Sequence, residues 1–482
     1  MHLLTQRAHR RPISRVAAVA AGALVLGLAG YAAPAGASPA ASPSKTDQPP
    51  GAVLGKPAPG TPQLVNNTGR HNLNRITQMV QCGDTMYAVG IFNTIVQGGT
   101  DYARTNIFSF QADAPYTITS WAPQVNGTIN TITFNAGDCD DAYIGGNFTS
   151  VNGTTVKNIA EIDTVVGDVV PTFGTSTAGG QVETMLAVDG HILVGGYFQW
   201  INGSHADPFM ASVDPVTGKD DGFLHLAISG HYDYCDDKGK CTQGENSSVQ
   251  LQQLSHSGNY DLVEGDFTSV AGLQREQIFM LDLTTDPATV TPWTSSQWDG
   301  SDPNQPYQCV PVEAWYIRAA AWSPDDSTIY IGDTGNHPNN LGTFIPRSGL
   351  CDAVASFPAT LGPVSDNWIE YSGCDSYYSI AADDGAVYAA GHPRWVDNSD
   401  GCDNLGSGGI KDFGLQGLDP SSGNVDLKTS GQPVYTMSRA NASNMLITTA
   451  GLWIGSSNRF GSQSCGLTSG HSGICFLPYP TP

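Results

Sequence analysis

The chain has 482 residues, 40% of them apolar and 13% charged, with 56 Gly and 30 Pro, enough for two or three ordinary domains or one large repeat array. Its net charge of −23 argues against nucleic acid and anionic membrane as partners, because both are held by clustered cations. No apolar stretch beyond the N-terminus is long enough to span a bilayer.

The first segment carries Arg7, Arg10, Arg11 and Arg15, an apolar run over 16–33, and then Ala35-Gly36-Ala37. A basic start, an apolar middle and a small-residue cleavage site describe an export signal over 1–37, hence a secreted, extracellular protein that could also associate with the cell surface. The Arg10-Arg11 pair admits the twin-arginine route beside the Sec route. Residues 38–61 are nearly all Ala, Ser, Pro and Gly with a few polar residues, too little apolar surface to fold, so they are expected to form a disordered leader. Ten Cys in an exported chain predict disulfides rather than thiol or metal chemistry.

From residue 62 to 482 one phrase recurs. It stands as Tyr87-Ala-Val-Gly90-Ile-Phe92, Tyr143-Ile-Gly-Gly146-Asn-Phe148, Leu193-Val-Gly-Gly196-Tyr-Phe198 and Leu262-Val-Glu-Gly265-Asp-Phe267. Weaker copies end at Gly332, Gly391 and Gly455, and successive motif glycines are 56, 50, 69, 67, 59 and 64 residues apart. Each unit repeats short β-type runs bounded by Gly, Asn or Asp, without an amphipathic helix between them. The prediction is an all-β fold, a single seven-bladed β-propeller of four-stranded antiparallel blades. Paired glycines would let backbones approach near the axis, and the Phe would pack blade against blade. The last unit is one strand short, and residues 63–65 are expected to supply it and close the ring.

The phrase Gly145-Gly-Asn-Phe-Thr-Ser-Val-Asn-Gly153, followed by Asn158-Ile-Ala-Glu-Ile-Asp163, resembles the bacterial delta-60 repeat and the related β-propeller of fungal cortical-marker proteins. The resemblance runs over about 86–282 and fades afterwards. It implies an exported propeller scaffold of actinobacterial type and carries no common catalytic residues.

Blade topology sorts the loops onto two faces. Cys82 and Cys139 fall in the first turns of adjacent blades and are expected to pair. The other eight sit in loops of the opposite face, where proximity suggests Cys235 with Cys241, Cys309 with Cys351, Cys374 with Cys402, and Cys465 with Cys475. Acidic groups at Asp138, Asp140 and Asp141, at Asp325-Asp326 and at Asp383-Asp384 admit calcium, but Asp is also the favoured residue of such hairpins. Asp163, Asp214, Asp282 and Asp419 recur as turn residues. There is no His-Glu-x-x-His, His-x-His or Cys-x-x-Cys, and no cofactor is evident.

The loop-decorated face is where the repeats differ, and its candidate ligand-binding residues are His231, Tyr232, Tyr234, Trp298, His337, His392, Arg394, Trp395 and Arg459. The leading function is a secreted propeller, expected to be a monomer, that binds an extracellular glycan, a peptide or a cell-envelope component there. The alternative is an extracellular enzyme, a polysaccharide hydrolase, lyase or oxidase with its site in the axial funnel of that face. A third is a nearly inert structural protein.

Overall fold

The computed structural model describes residues 48–65, 74–135, 137–231, 247–298, 316–335, 350–437, 442–457 and 472–481, with strand backbone alone at 234–235 and 241–242. The expected export signal therefore lies outside the described residues. Among the described residues there is no helix, and none long and apolar enough to cross a membrane.

Among the described residues, seven antiparallel sheets repeat one plan: a first strand, a tight turn, a second strand, and a third returning beside it. Their first strands are Arg75–Cys82, Thr128–Phe134, Val182–Val188, Ser248–Leu254, Tyr316–Trp322, Tyr377–Ala382 and Ala442–Thr448, and the sheets are numbered 1 to 7 in that order. First strands pack on one another in succession, and that of sheet 7 meets that of sheet 1. Alternation along each second strand sends residues to two different neighbours. In Thr85–Ile91, Met86 and Ala88 enter the apolar cluster shared with sheet 7, while Tyr87 and Val89 enter the one shared with sheet 2. Every sheet is buried on both sides in this way, which is the β-propeller arrangement.

Motif residues do the work expected of them. Phe92, Phe148, Phe198 and Phe267 each lie inside a cluster joining two sheets. A side chain on Gly145 would strike Val182 and Met185 of the next sheet, and one on Gly146 would strike the Thr128 carbonyl of its own sheet. Asn152-Gly153 and Asn202-Gly203 both take left-handed backbone, with φ of 46° and 81°, and 51° and 78°. The carboxylates of Asp163, Asp214, Asp282 and Asp419 accept hydrogen bonds from residues two or three further on, closing equivalent turns. Asp138, Asp325 and Asp383 likewise accept bonds within their own hairpins.

Three expectations need correction. Among the described residues only sheets 4 and 5 have four strands; sheet 7 has no fourth run, and in sheets 1, 2, 3 and 6 the fourth run makes a single bridge, such as Ile162 with Val169. That run leaves its sheet early and puts an aromatic residue, Trp121 or Phe173, into the cluster shared with the following sheet. The motif glycines are also not all equivalent. Register pairs Ile317 with Asp333 and Ala442 with Ser456, as Ile129 pairs with Gly146, so Gly332 and Gly455 align with Gly145.

The third correction concerns the leader. Ala52 and Val53 are fully buried between sheets 6 and 7, with Val53 N donating to Tyr388 Oη and Tyr435 Oη donating to Val53 O. Two small apolar residues and an exposed run of carbonyls suffice to order a segment whose composition suggests otherwise. Leu54 N and Ala58 N donate to the carbonyls of Pro478 and Phe476, along the free side of the last strand, Ile474–Pro478, and Leu64 N donates to that of Ser472 just before it. Gln63–Leu64 itself pairs with Thr94–Gln97, not with that strand.

Cys82 and Cys139 are bonded, with Cα atoms 5.8 Å apart, and join the first turns of sheets 1 and 2. Cys374 and Cys402 are bonded, with Cα atoms 4.6 Å apart. Cys235 and Cys241 are direct partners in a short ladder. Cys351 and Cys475 are also disulfide-bonded; their expected partners, Cys309 and Cys465, lie outside the described residues. Disulfides of this kind are consistent with an extracellular setting.

Candidate functional site

In all seven sheets the pairing of first and second strands slips by one residue near the start of the first strand. Such a β-bulge re-aims the extra residue out of the ladder. The seven bulge residues are Thr77, Asn130, Glu183, Gln250, Arg318, Tyr378 and Ser443. They form a row at the end of the first strands opposite the Cys82–Cys139 turns, on the face that carries the long loops.

Part of the row is structural. Ser443 Oγ donates to Ile76 O, Thr77 Oγ1 to Ile129 O at 2.7 Å, and Asn130 Nδ2 to Val182 O at 2.8 Å, each reaching the next sheet. One residue further on, Asn444 Oδ1, Gln78 Oε1 and Thr131 Oγ1 accept the backbone N–H groups of Met79, Ile132 and Met185. These bonds satisfy strand edges that face the axis. The row then changes character to an acid, an amide, a cation and a phenol. Glu183 is raised above the ordinary glutamate range by burial, against the pull of its bond to Gln181 and of Arg75. Arg318 is exposed, with its guanidinium carbon 6.0 Å from the centre of the Tyr378 ring.

Beside Tyr378 lies a polar cluster. The His392 ring meets that of Tyr378 edge-on at 5.3 Å, and its Nδ1 is 3.6 Å from Asp375 Oδ1. Arg394 Nε donates to Asp375 Oδ2 at 2.7 Å and Nη2 to Asp403 Oδ1 at 2.8 Å. Each acid follows a cysteine of the Cys374–Cys402 disulfide, so the bridge sets the spacing of the two carboxylates that grip Arg394. Burial alone would raise Asp375, but the bonds from His392 and Arg394 bring it below the ordinary range. Beneath it Asp352, almost fully buried, is raised by burial and by Asp333, against bonds from Ser376 Oγ and Gly335 N. Asp333 stands where other sheets have the second motif glycine, and it accepts Ala353 N at 2.8 Å.

Of the residues picked from sequence, His392, Arg394 and Trp395 come together, with the Arg394 guanidinium 5.9 Å from the Trp395 ring centre. Arg394 serves the clamp, and His392, with 39% of its side chain exposed, is the accessible member. Trp298 is not a surface residue: it is 2% exposed, and its ring meets Phe357 at 4.8 Å inside the cluster between sheets 4 and 5. The polar run after it in sequence gives no sign that the indole turns inward. His231 is half-buried at the end of Ile228–Ser229, in the connection from sheet 3 to sheet 4. Only the backbone of Tyr234 is described, and Tyr232, His337 and Arg459 lie outside the described residues. Glu183, Gln250, Arg318 and Tyr378 were missed because their signal is positional. It emerges when the seven first strands are aligned on the residue that follows the first buried apolar one.

Fold and site together define an all-β propeller with a polar, partly cationic mouth on its loop-bearing face. No family model matches the chain, and no curated protein matches it. Among solved structures it is similar to U3-55K (10% identity, 88% of this chain and 100% of that one, TM-score 0.45). It is also similar to the WD40 repeats of RRP9 (9% identity, 88% and 99%, TM-score 0.46) and to the WD40 β-propeller domain of Doa1 (12% identity, 83% and 95%, TM-score 0.42).

Proposed function

We propose that the chain is an exported, seven-bladed propeller closed between its first and last sheets, and that it binds an extracellular ligand at the axial mouth of its loop-bearing face. Closure is supported by the cluster shared by sheets 7 and 1, by the bridge between Arg75 and Ser457, and by the Ser443 to Ile76 bond. One observation carries the binding reading. Along the row the bulge residues change from Ser443, Thr77 and Asn130 to Glu183, Gln250, Arg318 and Tyr378, with His392 beside them, a charged, amide and phenolic set that a symmetric scaffold does not need. Exposed Arg318 over Tyr378 offers a cation and an aromatic face together, suited to a glycan, a peptide or another cell-envelope component.

The test is retention of the purified chain on immobilised polysaccharides, cell-wall preparations and peptides. A Arg318→Ala, Tyr378→Ala, His392→Ala triple variant that stays folded should lose retention. Retention unchanged by that variant refutes the mouth as the binding site. The enzyme reading has one observation of its own, the approach of His392 to buried Asp375, and it requires turnover that His392→Ala abolishes.

A further inference from the structure

A polar cavity of about 540 Å3 lies on the same face, between sheets 2 and 3, and its walls include Asn147, Lys157, Gly179, Gly180, Glu183 and Tyr197. These residues hold defined places in the repeat. Asn147 and Tyr197 fill the variable place between the second motif glycine and the Phe, where sheets 1 and 4 have Ile91 and Asp266. Glu183 is the bulge residue, elsewhere Thr77, Asn130 or Gln250. Lys157 precedes the left-handed Asn158, a place taken by Thr105 in sheet 1 and Glu276 in sheet 4. A repeat keeps the residues its fold requires, so variable places that converge on one cavity are free to serve a ligand.

The walls are held in position. Gln250 Nε2 donates to Tyr197 Oη at 3.1 Å, and Gln181 Nε2 donates to Glu183 Oε1. Asn158 Nδ2 donates to Gly180 O at 3.1 Å. Gly179 and Gly180 leave the floor bare: a side chain on the first would strike the Trp200 ring, and one on the second the Tyr197 carbonyl. What remains is a cavity of the size of small-ligand sites, lined by amides, one carboxyl, one ammonium and one phenol, with more polar than apolar surface.

We propose that this cavity is a subsite for a neutral sugar unit of a polysaccharide, a deepening of the binding reading above, on which it rests. Hydroxyls on adjacent sugar carbons match closely spaced carboxylate and amide groups, and the edge of Tyr197 meets the apolar side of the ring. An apolar peptide side chain would meet a wall that is more polar than apolar. A uronate or phosphorylated polymer would meet Glu183 and the net charge of −23 with one ammonium in compensation.

Isothermal titration calorimetry tests it on the full-length mature chain with four probes: tetramers of a neutral hexose, of an N-acetylhexosamine and of a hexuronate, and a mixed tetrapeptide. One of the two uncharged tetramers should bind. Tyr197→Ala and Glu183→Gln, with thermal unfolding as the parent, should each weaken it by about tenfold or more. Asn147→Ala gives a second check at an exposed residue whose loss threatens the fold least. Preferred binding of the hexuronate or the peptide, no saccharide binding, or binding indifferent to all three substitutions overturns the proposal. If a saccharide binds and only Arg318→Ala removes it, the mouth holds the ligand and the cavity does not. Loss in Tyr197→Ala and Asn147→Ala with no effect of Arg318→Ala leaves the cavity standing and refutes the mouth around Arg318.

Discussion

Glu264 makes the sharpest energetic prediction. It occupies the place of Gly145 and Gly195 in the repeat, on a strand that points it at sheet 5, where Ala320 replaces the Met79 and Met185 of other sheets. The small neighbour makes room for the side chain but offers no partner: the residue is 1% exposed, and neither carboxyl oxygen is hydrogen-bonded among the described residues. Burial, with Asp261 adding to it, pushes the carboxyl from 4.5 up to about 8. The folded state therefore binds a proton that the unfolded chain releases. Stability is intact below the unfolded value and falls as pH rises towards the folded one. At 1.4 kcal/mol per unit, roughly, the loss between about pH 4 and about pH 7 is on the order of 3 kcal/mol. Glu264→Gln keeps the shape and removes the titration. Urea unfolding of both proteins across that range should show the variant gaining on the parent by about this amount, and levelling above about pH 8. Parallel pH profiles would show that Glu264 is solvated or paired, and would refute the burial argument.

Further outcomes follow from other parts of the ring. Ala271 has φ 50° at the place of Asn152 and Asn202, so Ala271→Asn should raise stability by about 0.5 kcal/mol, read as a higher urea midpoint. Val53→Ala should cost about 1 to 2 kcal/mol through lost burial between sheets 6 and 7, and removal of residues 48–59 should lower the melting temperature much further. An unchanged melting temperature would mean that the segment is not docked. Cys374→Ser with Cys402→Ser should loosen the two carboxylates around Arg394 and weaken ligand retention more than Cys82→Ser with Cys139→Ser, which acts on the opposite face.

Much of this architecture is legible in the sequence because its repeat encodes geometry at fixed places. The Asn-Gly turns, the paired glycines and the inter-sheet Phe residues are each demanded by sterics, and the first-turn positions of Cys82 and Cys139 suffice to pair them. What escapes is information that lies in register. A one-residue bulge changes no residue type, so Gly332 reads as the partner of Gly146 when Asp333 holds that place. The leader reads as disordered because two buried residues, Ala52 and Val53, vanish in a run rich in Ala and Pro. The site is harder still. His392 stands out as a departure from the repeat, but Glu183, Gln250, Arg318 and Tyr378 share only a position, and a position becomes visible only once the strands are paired.

The proposed ring can be tested through a backbone bridge between its first and last sheets. Arg75 and Ser457 are antiparallel bridge partners 382 positions apart, and such partners lie within disulfide reach. In the Arg75→Cys, Ser457→Cys double variant, non-reduced peptide mapping should recover a new link between those two positions beside the native disulfides. Two cysteines that stay free and alkylate fully in the folded protein would show that sheets 1 and 7 do not meet, contradicting closure and the axial mouth built upon it.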